Sequence, residues 1–125
     1  MNLRQLFLIG TAVGLVPIAL SYGLAPQQSL GQLFGLQVHS VNGVHIFRAI
    51  MGLYLALALF WLAGARRQRL RQAALQSLVV FMLGLAIGRL GSLLLDGMPD
   101  PLLLAYLVLE LACAAVGLWL LRRPE

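Results

Sequence analysis

Four apolar stretches, each close to the roughly 20 residues that a helix needs to cross a bilayer, constrain this chain more than any other feature. They run over 5–24, 43–65, 72–96 and 101–121 and take up most of the 125 residues. Charge agrees with this reading: 10% of the residues are charged and 61% are hydrophobic, whereas a soluble domain carries about 25% charged residues. So little surface charge suits lipid as solvent and not water. The expectation is one domain of the all-α membrane class, a bundle of four transmembrane helices. The first stretch follows a single basic residue, Arg4, and is longer than the apolar core of a secretion signal. It is therefore read as a membrane helix.

Arginine sets the expected orientation. The chain has nine Arg and no Lys. Arg4 precedes the first stretch, Arg66, Arg67, Arg69 and Arg71 fill the link at 66–71, and Arg122 and Arg123 follow the fourth stretch. The connections at 25–42 and 97–100 contain no Arg. By the positive-inside rule the arginine-bearing side is cytoplasmic. The expected topology thus has both termini inside, in a bacterial inner membrane. The same distribution accounts for the net charge of +5 without nucleic acid as a partner.

Local signals mark several helix ends. Asn42 is a candidate cap for the second helix, and Asp100 before Pro101 reads as an N-cap with proline at the first helical position. Gly97 suits a helix C-terminus. Pro17 is expected to kink or distort the first helix. Leu30, Leu33, Phe34 and Leu36 among glutamines leave two readings of the first outer connection, a short amphipathic surface helix or a loop. Gly10-x-x-x-Gly14 and Gly84-x-x-x-Gly88 match a helix-packing motif. They either seat neighbouring helices of one chain or serve a homo-oligomer.

The chemically informative residues are the ionisable ones inside the apolar spans, because a charge at the bilayer centre costs at least ~2.5–3.5 kcal/mol. Counting from the outer helix ends at 1.5 Å per residue, Arg48 lies about 9 Å deep, Arg89 about 10 Å and Glu110 about 15 Å. All three fall in the outer half of the membrane. Arg89, Ser92 and Asp96 share one helical face, as do Tyr106, Glu110, Cys113, Ala114 and Gly117, and as do His45, Arg48 and Gly52. A polar, outward-opening pocket lined by His45, Arg48, Arg89, Ser92, Asp96, Tyr106 and Glu110 is expected. Two readings of these charges stand side by side. They pair and hold the bundle together, or the surplus of Arg over Glu holds an anion or an anionic head group.

Motifs for soluble chemistry are missing: there is no phosphate loop, dinucleotide fingerprint, ordered catalytic triad or zinc spacing. The lone Cys113 excludes an intrachain disulfide and a Cys-rich metal site, and His39 and His45 have no metal-ligand spacing. No enzyme activity, cofactor or metal is expected.

The segments His45-Ile-Phe-Arg-Ala-Ile-Met-Gly-Leu-Tyr54, Gly88-Arg-Leu-Gly-Ser-Leu-Leu-Leu-Asp-Gly-Met-Pro99 and Glu110-Leu111 resemble a family of small bacterial membrane proteins, domain of unknown function 4345. The resemblance extends over nearly the whole chain and implies a four-helix inner-membrane protein. Its recurring polar positions fall on Arg48, Arg89, Ser92, Asp96 and Glu110, and it implies no activity. Small multidrug exporters, fluoride channels and vitamin K-type reductases fit less well, because their first-helix acid, Gly-rich Arg motif and paired cysteines have no counterpart here. The functional expectation is binding of a lipid head group or a small anionic or amphiphilic molecule. The alternatives are an accessory subunit of a larger membrane complex, or a transporter or channel built by oligomerisation.

Overall fold

A side-chain cap or a glycine marks many of the helix ends. The computed structural model describes residues 1–124 as five helices: α1 (Leu3–Gly23), α2 (Pro26–Phe34), α3 (Val41–Arg66), α4 (Gln68–Asp96) and α5 (Pro101–Arg122). Asn2 begins α1 with a capping box, its side chain accepting from the Gln5 amide while Gln5 accepts from the Asn2 amide. Asp100 accepts from the Leu102 amide at 2.9 Å and starts α5, with Pro101 in the first turn. Gly97 follows α4 with φ of 101°, a conformation that favours glycine. The cap of α3 is Ser40, which accepts from the Gly43 amide at 3.0 Å, and not Asn42, which lies inside the first turn. Serine and asparagine cap about equally well, so composition alone does not choose between them.

All helices but α2 are long and apolar enough to cross a membrane. α1 runs unbroken through Pro17. α4 begins at Gln68 and is separated from α3 by Arg67 alone, so the segment read as a loop at 66–71 is almost entirely helical. Gln, Arg and Leu are all good helix formers, and hydropathy marks where the apolar span starts, not where the helix does. The first outer connection does contain a helix: Pro26 opens α2 and Gly35, with φ of 68°, closes it. Pro26 and Leu30 are buried beneath it.

α1 packs along α3 over the greatest length, α3 continues onto α4, and α4 onto α5, while α1 touches α4 and α5 only lightly. The inner faces are rich in alanine: Leu8, Ala12, Leu15 and Ala19 on α1, Tyr54, Ala58, Trp61 and Ala65 on α3, Ala74, Leu75, Leu78 and Met82 on α4, and Ala114 and Leu120 on α5. Small side chains let helix backbones approach closely, which is the main source of helix association in lipid. A Cβ on Gly64 would stand 2.4 Å from that of Ala74, one on Gly117 2.6 Å from Val79, and one on Gly23 2.4 Å from Met51. Edge-to-face rings link α1, α3 and α4, from Tyr22 through Tyr54 and Phe81 to Trp61. The Trp61 indole N–H donates to Ser77 at 3.1 Å, so the largest core side chain leaves no polar atom unsatisfied.

Both described ends of the chain meet at the arginine-bearing end. The Arg4 guanidinium donates to the Arg123 carbonyl, and buried Arg71 donates to the Gly64 and Ala65 carbonyls at the end of α3 at 3.1 and 2.9 Å. These arginines satisfy helix C-terminal carbonyls that have no partner within their own helix.

Candidate functional site

Each of the four long helices brings polar groups to one level of the bundle. Tyr22 comes from the end of α1, Tyr54 from α3, Arg89 from α4, and Tyr106 and Glu110 from α5. Glu110 lies on the inner face of α5 with Ala114 and Gly117 and is 6% exposed. Arg89 follows Met82 and Ala86 up α4 and reaches across to it. Its Nε lies 3.0 Å from both carboxylate oxygens. The guanidinium also sits over the Tyr106 ring, 5.7 Å from the centroid, in a cation–π contact. Tyr22 stands beside Arg89, and Tyr54 is within electrostatic reach of Tyr22, Arg89, Tyr106 and Glu110. The pair makes a neutral unit, so the charge is stabilised in a low-dielectric surrounding without a net ion in the bundle.

This pair forms one wall of a narrow cleft of about 50 Å³. The remaining walls are almost wholly apolar: Leu15 and Ile18 of α1, Phe81, Met82 and Leu85 of α4, and Leu109 and Cys113 of α5. Small-molecule sites share this form, an apolar slot with a few convergent polar groups, at larger volume. Tyr22 and Tyr54 were not among the residues singled out from sequence. The available signal is a phenol within an apolar span; Tyr106 stands out instead by sharing the helical face of Glu110.

The single pocket expected from sequence is divided in the structure. Arg89, Tyr106 and Glu110 come together as described. Ser92 shares with Arg89 a separate cavity of about 100 Å³, lined also by Leu93, Leu103 and Leu107. The Ser92 hydroxyl donates to Asp96 at 2.7 Å on the exposed end of α4, so Asp96 is held by its own helix. His45 and Arg48 are on the exposed side of α3. There Arg48 donates to the Gly23 carbonyl at 3.1 Å, and both residues line a separate recess with Gln27 and His39. The cause is rotation: Tyr54 faces the core, and Arg48, six residues earlier, is turned about 120° from it at 100° per residue. Lying in the same half of the membrane does not bring Arg48 to Glu110.

The fold and this arrangement define a small multi-pass helical membrane protein with an intramembrane ion pair on the wall of an apolar cleft. Residues 3–121 match the family described as Domain of unknown function (DUF4345), and the chain belongs to it. No curated protein and no solved structure matches the chain.

Proposed function

We propose that this protein binds an amphiphilic molecule from the membrane in the cleft between its long helices. The polar end of the ligand sits at Arg89, Tyr106 and Glu110, and its apolar part lies along Leu15, Ile18, Leu85 and Leu109. One observation carries the reading: an ion pair, supplied by α4 and α5, is set into an otherwise apolar cleft with an open mouth. Both bonds to the carboxylate come from Arg89 Nε, so the planar fork has donor capacity beyond the pair, suited to a carbonyl, carboxylate or phosphate acceptor. The distribution of arginines supports a bacterial inner-membrane location with both termini cytoplasmic. The proposed role is non-enzymatic.

Native mass spectrometry of the mildly extracted protein tests the reading. A reproducible small adduct is expected on the wild-type chain. It is lost in Leu85→Trp, which fills the cleft while leaving both residues of the ion pair in place. An adduct retained undiminished by Leu85→Trp, or none on the wild-type chain, overturns it.

A second reading is favoured by a different observation. Gly10, Gly14, Gly84 and Gly88 face outward, and a Cβ added at any of them meets nothing within 4 Å. Their motif therefore seats no helix of the same chain, and it remains available for assembly with a second copy or a larger membrane complex. A heteromeric mass without a small adduct would favour that reading.

A further inference from the structure

At the end of the bundle that carries α2, a second depression of about 310 Å³ lies between the start of α2 and the first two turns of α3. Its lining is Gln27, His39, Ser40, Val41, Val44, His45 and Arg48, and it shares no residue with the cleft. The chemistry of this lining has one sign. The described carboxylates are Asp96, Asp100 and Glu110, and none of them borders the recess. Asp96 is bonded to Ser92, Asp100 caps α5, and Glu110 is engaged by Arg89. Arg48 makes its hydrogen bond to a backbone carbonyl, that of Gly23. That bond orients the guanidinium but leaves its charge without a counter-ion. Two imidazoles, a carboxamide and a hydroxyl surround it with further hydrogen-bonding groups.

The level of the recess fits one kind of anion. α3 has 26 residues and is therefore about 39 Å long, about 9 Å more than the hydrocarbon thickness of a bilayer. The surplus places its first turns among the lipid head groups when the arginine end is anchored at the opposite surface. Arg48, the eighth residue of α3, then stands with its long side chain at the boundary between acyl chains and phosphates, where such side chains extend toward the interface.

We infer that the recess formed by Gln27, His39, His45 and Arg48 is a binding site for a phosphate group, carried by an anionic phospholipid head group or free in solution. Arg48 supplies the charge and a planar donor fork matched to phosphate oxygens. His39, His45 and Gln27 supply hydrogen bonds that distinguish a phosphate from a halide. The inference is independent of the cleft and holds or fails without it.

The test uses the full chain with two probes. One is inorganic phosphate, titrated into detergent-solubilised, delipidated protein and followed by phosphorus NMR. The other is phosphatidylglycerol, counted by native mass spectrometry on chains released from nanodiscs of equal parts phosphatidylglycerol and phosphatidylcholine. Arg48→Gln weakens binding of the responsive probe by roughly tenfold or more, the worth of a charge-assisted hydrogen bond. His45→Gln weakens it by a smaller factor and, having no hydrogen bond in the fold to lose, serves as the variant that leaves folding intact. Leu85→Trp leaves it unchanged. Retention of phosphatidylglycerol, sensitive to Arg48 and not displaced by inorganic phosphate, assigns the site to a lipid head group. Saturable phosphate binding with no such retention assigns it to the free anion. If neither probe binds, or if both bind Arg48→Gln and His45→Gln as they bind the wild-type chain, the inference is wrong.

Discussion

Replacing Arg89 and Glu110 singly and together separates what the pair does for the fold from what it does for a ligand. At 3.0 Å and an effective dielectric near 20, the attraction between the two charges is about 5 kcal/mol, most of which offsets their removal from water. The net worth of the pair is therefore small, but the cost of breaking it is not. Arg89→Met strands the carboxylate of Glu110, which is 6% exposed. Glu110→Met strands a guanidinium whose side chain is 23% exposed. Each single change is expected to destabilise the bundle by about 3–5 kcal/mol, the usual cost of leaving one buried charge alone. The more exposed Arg89 gives Glu110→Met the lower value. The double change to methionine removes both charges, keeps much of the volume, and should lie within about 1 kcal/mol of the wild-type chain. Reversible unfolding in mixed micelles, followed by far-ultraviolet circular dichroism and by the fluorescence of Trp61, measures all four corners of the cycle. Single changes that each cost less than about 1 kcal/mol would show that the two side chains are not held as described. A double variant that is stable but has lost its adduct assigns the pair to the ligand. One that is stable and keeps its adduct removes the polar wall from the proposed site.

The glycines give an equally sharp contrast. Gly64→Ala should destabilise the bundle by about 1–2 kcal/mol, because the new methyl meets the Ala74 Cβ, which is fixed to its helix, and the overpacking exceeds the gain in helix propensity. Gly84→Ala, with open space around it, should be neutral or stabilising by less than about 1 kcal/mol. The same unfolding experiment compares them, and equal effects would refute the assigned close approach. Arg71→Ala removes the donors to the Gly64 and Ala65 carbonyls and should cost about 3 kcal/mol. Arg66→Ala, at an exposed position, should stay within about 0.5 kcal/mol. An equal loss at both positions would mean that the arginine end acts only through its total charge.

Much of the fold was legible because lipid imposes a length. The four apolar stretches, the Asp100–Pro101 start and the Gly97 stop lie where the helices have their spans and ends. Rotation about each helix axis was not legible. In water an apolar stripe marks the inner face of a helix, but a membrane helix is apolar on every side. Glycine pairs at spacing four pointed to α1 and α4 surfaces that face outward. The inner faces are marked by alanine at spacing seven, Ala12 with Ala19 and Ala58 with Ala65. One turn beyond Ala19 lies Gly23 and one turn before Ala58 lies Tyr54, both buried. Of the residues singled out for the site, the structure brings Arg89, Tyr106 and Glu110 together. His45 and Arg48 were matched by depth to a face they do not share.

The positions of the three close approaches explain why a cleft exists at this level. Gly64 and Gly117 are both near the arginine end, where they seat α3 on α4 and α5 on α4. Gly23 is at the other end and seats α1 on α3 through Met51 and Phe47. α1 and α5, by contrast, touch only lightly, and a Cβ on Gly117 would meet Phe7 of α1 only at an ordinary 3.6 Å. Towards the α2 end the pair α1–α3 is thus held at Gly23, while α4 and α5 are joined there by the Arg89–Glu110 pair. The seam between α1 and α5 then lacks a close contact at the level of Tyr106 and Glu110, where Leu15, Ile18, Leu109 and Cys113 line the cleft. An ion pair placed there has its charge satisfied by Arg89 and Glu110 themselves while remaining open on one side to whatever enters along the seam. In a bundle closed by a fourth small-residue contact, the same pair could serve only as internal packing.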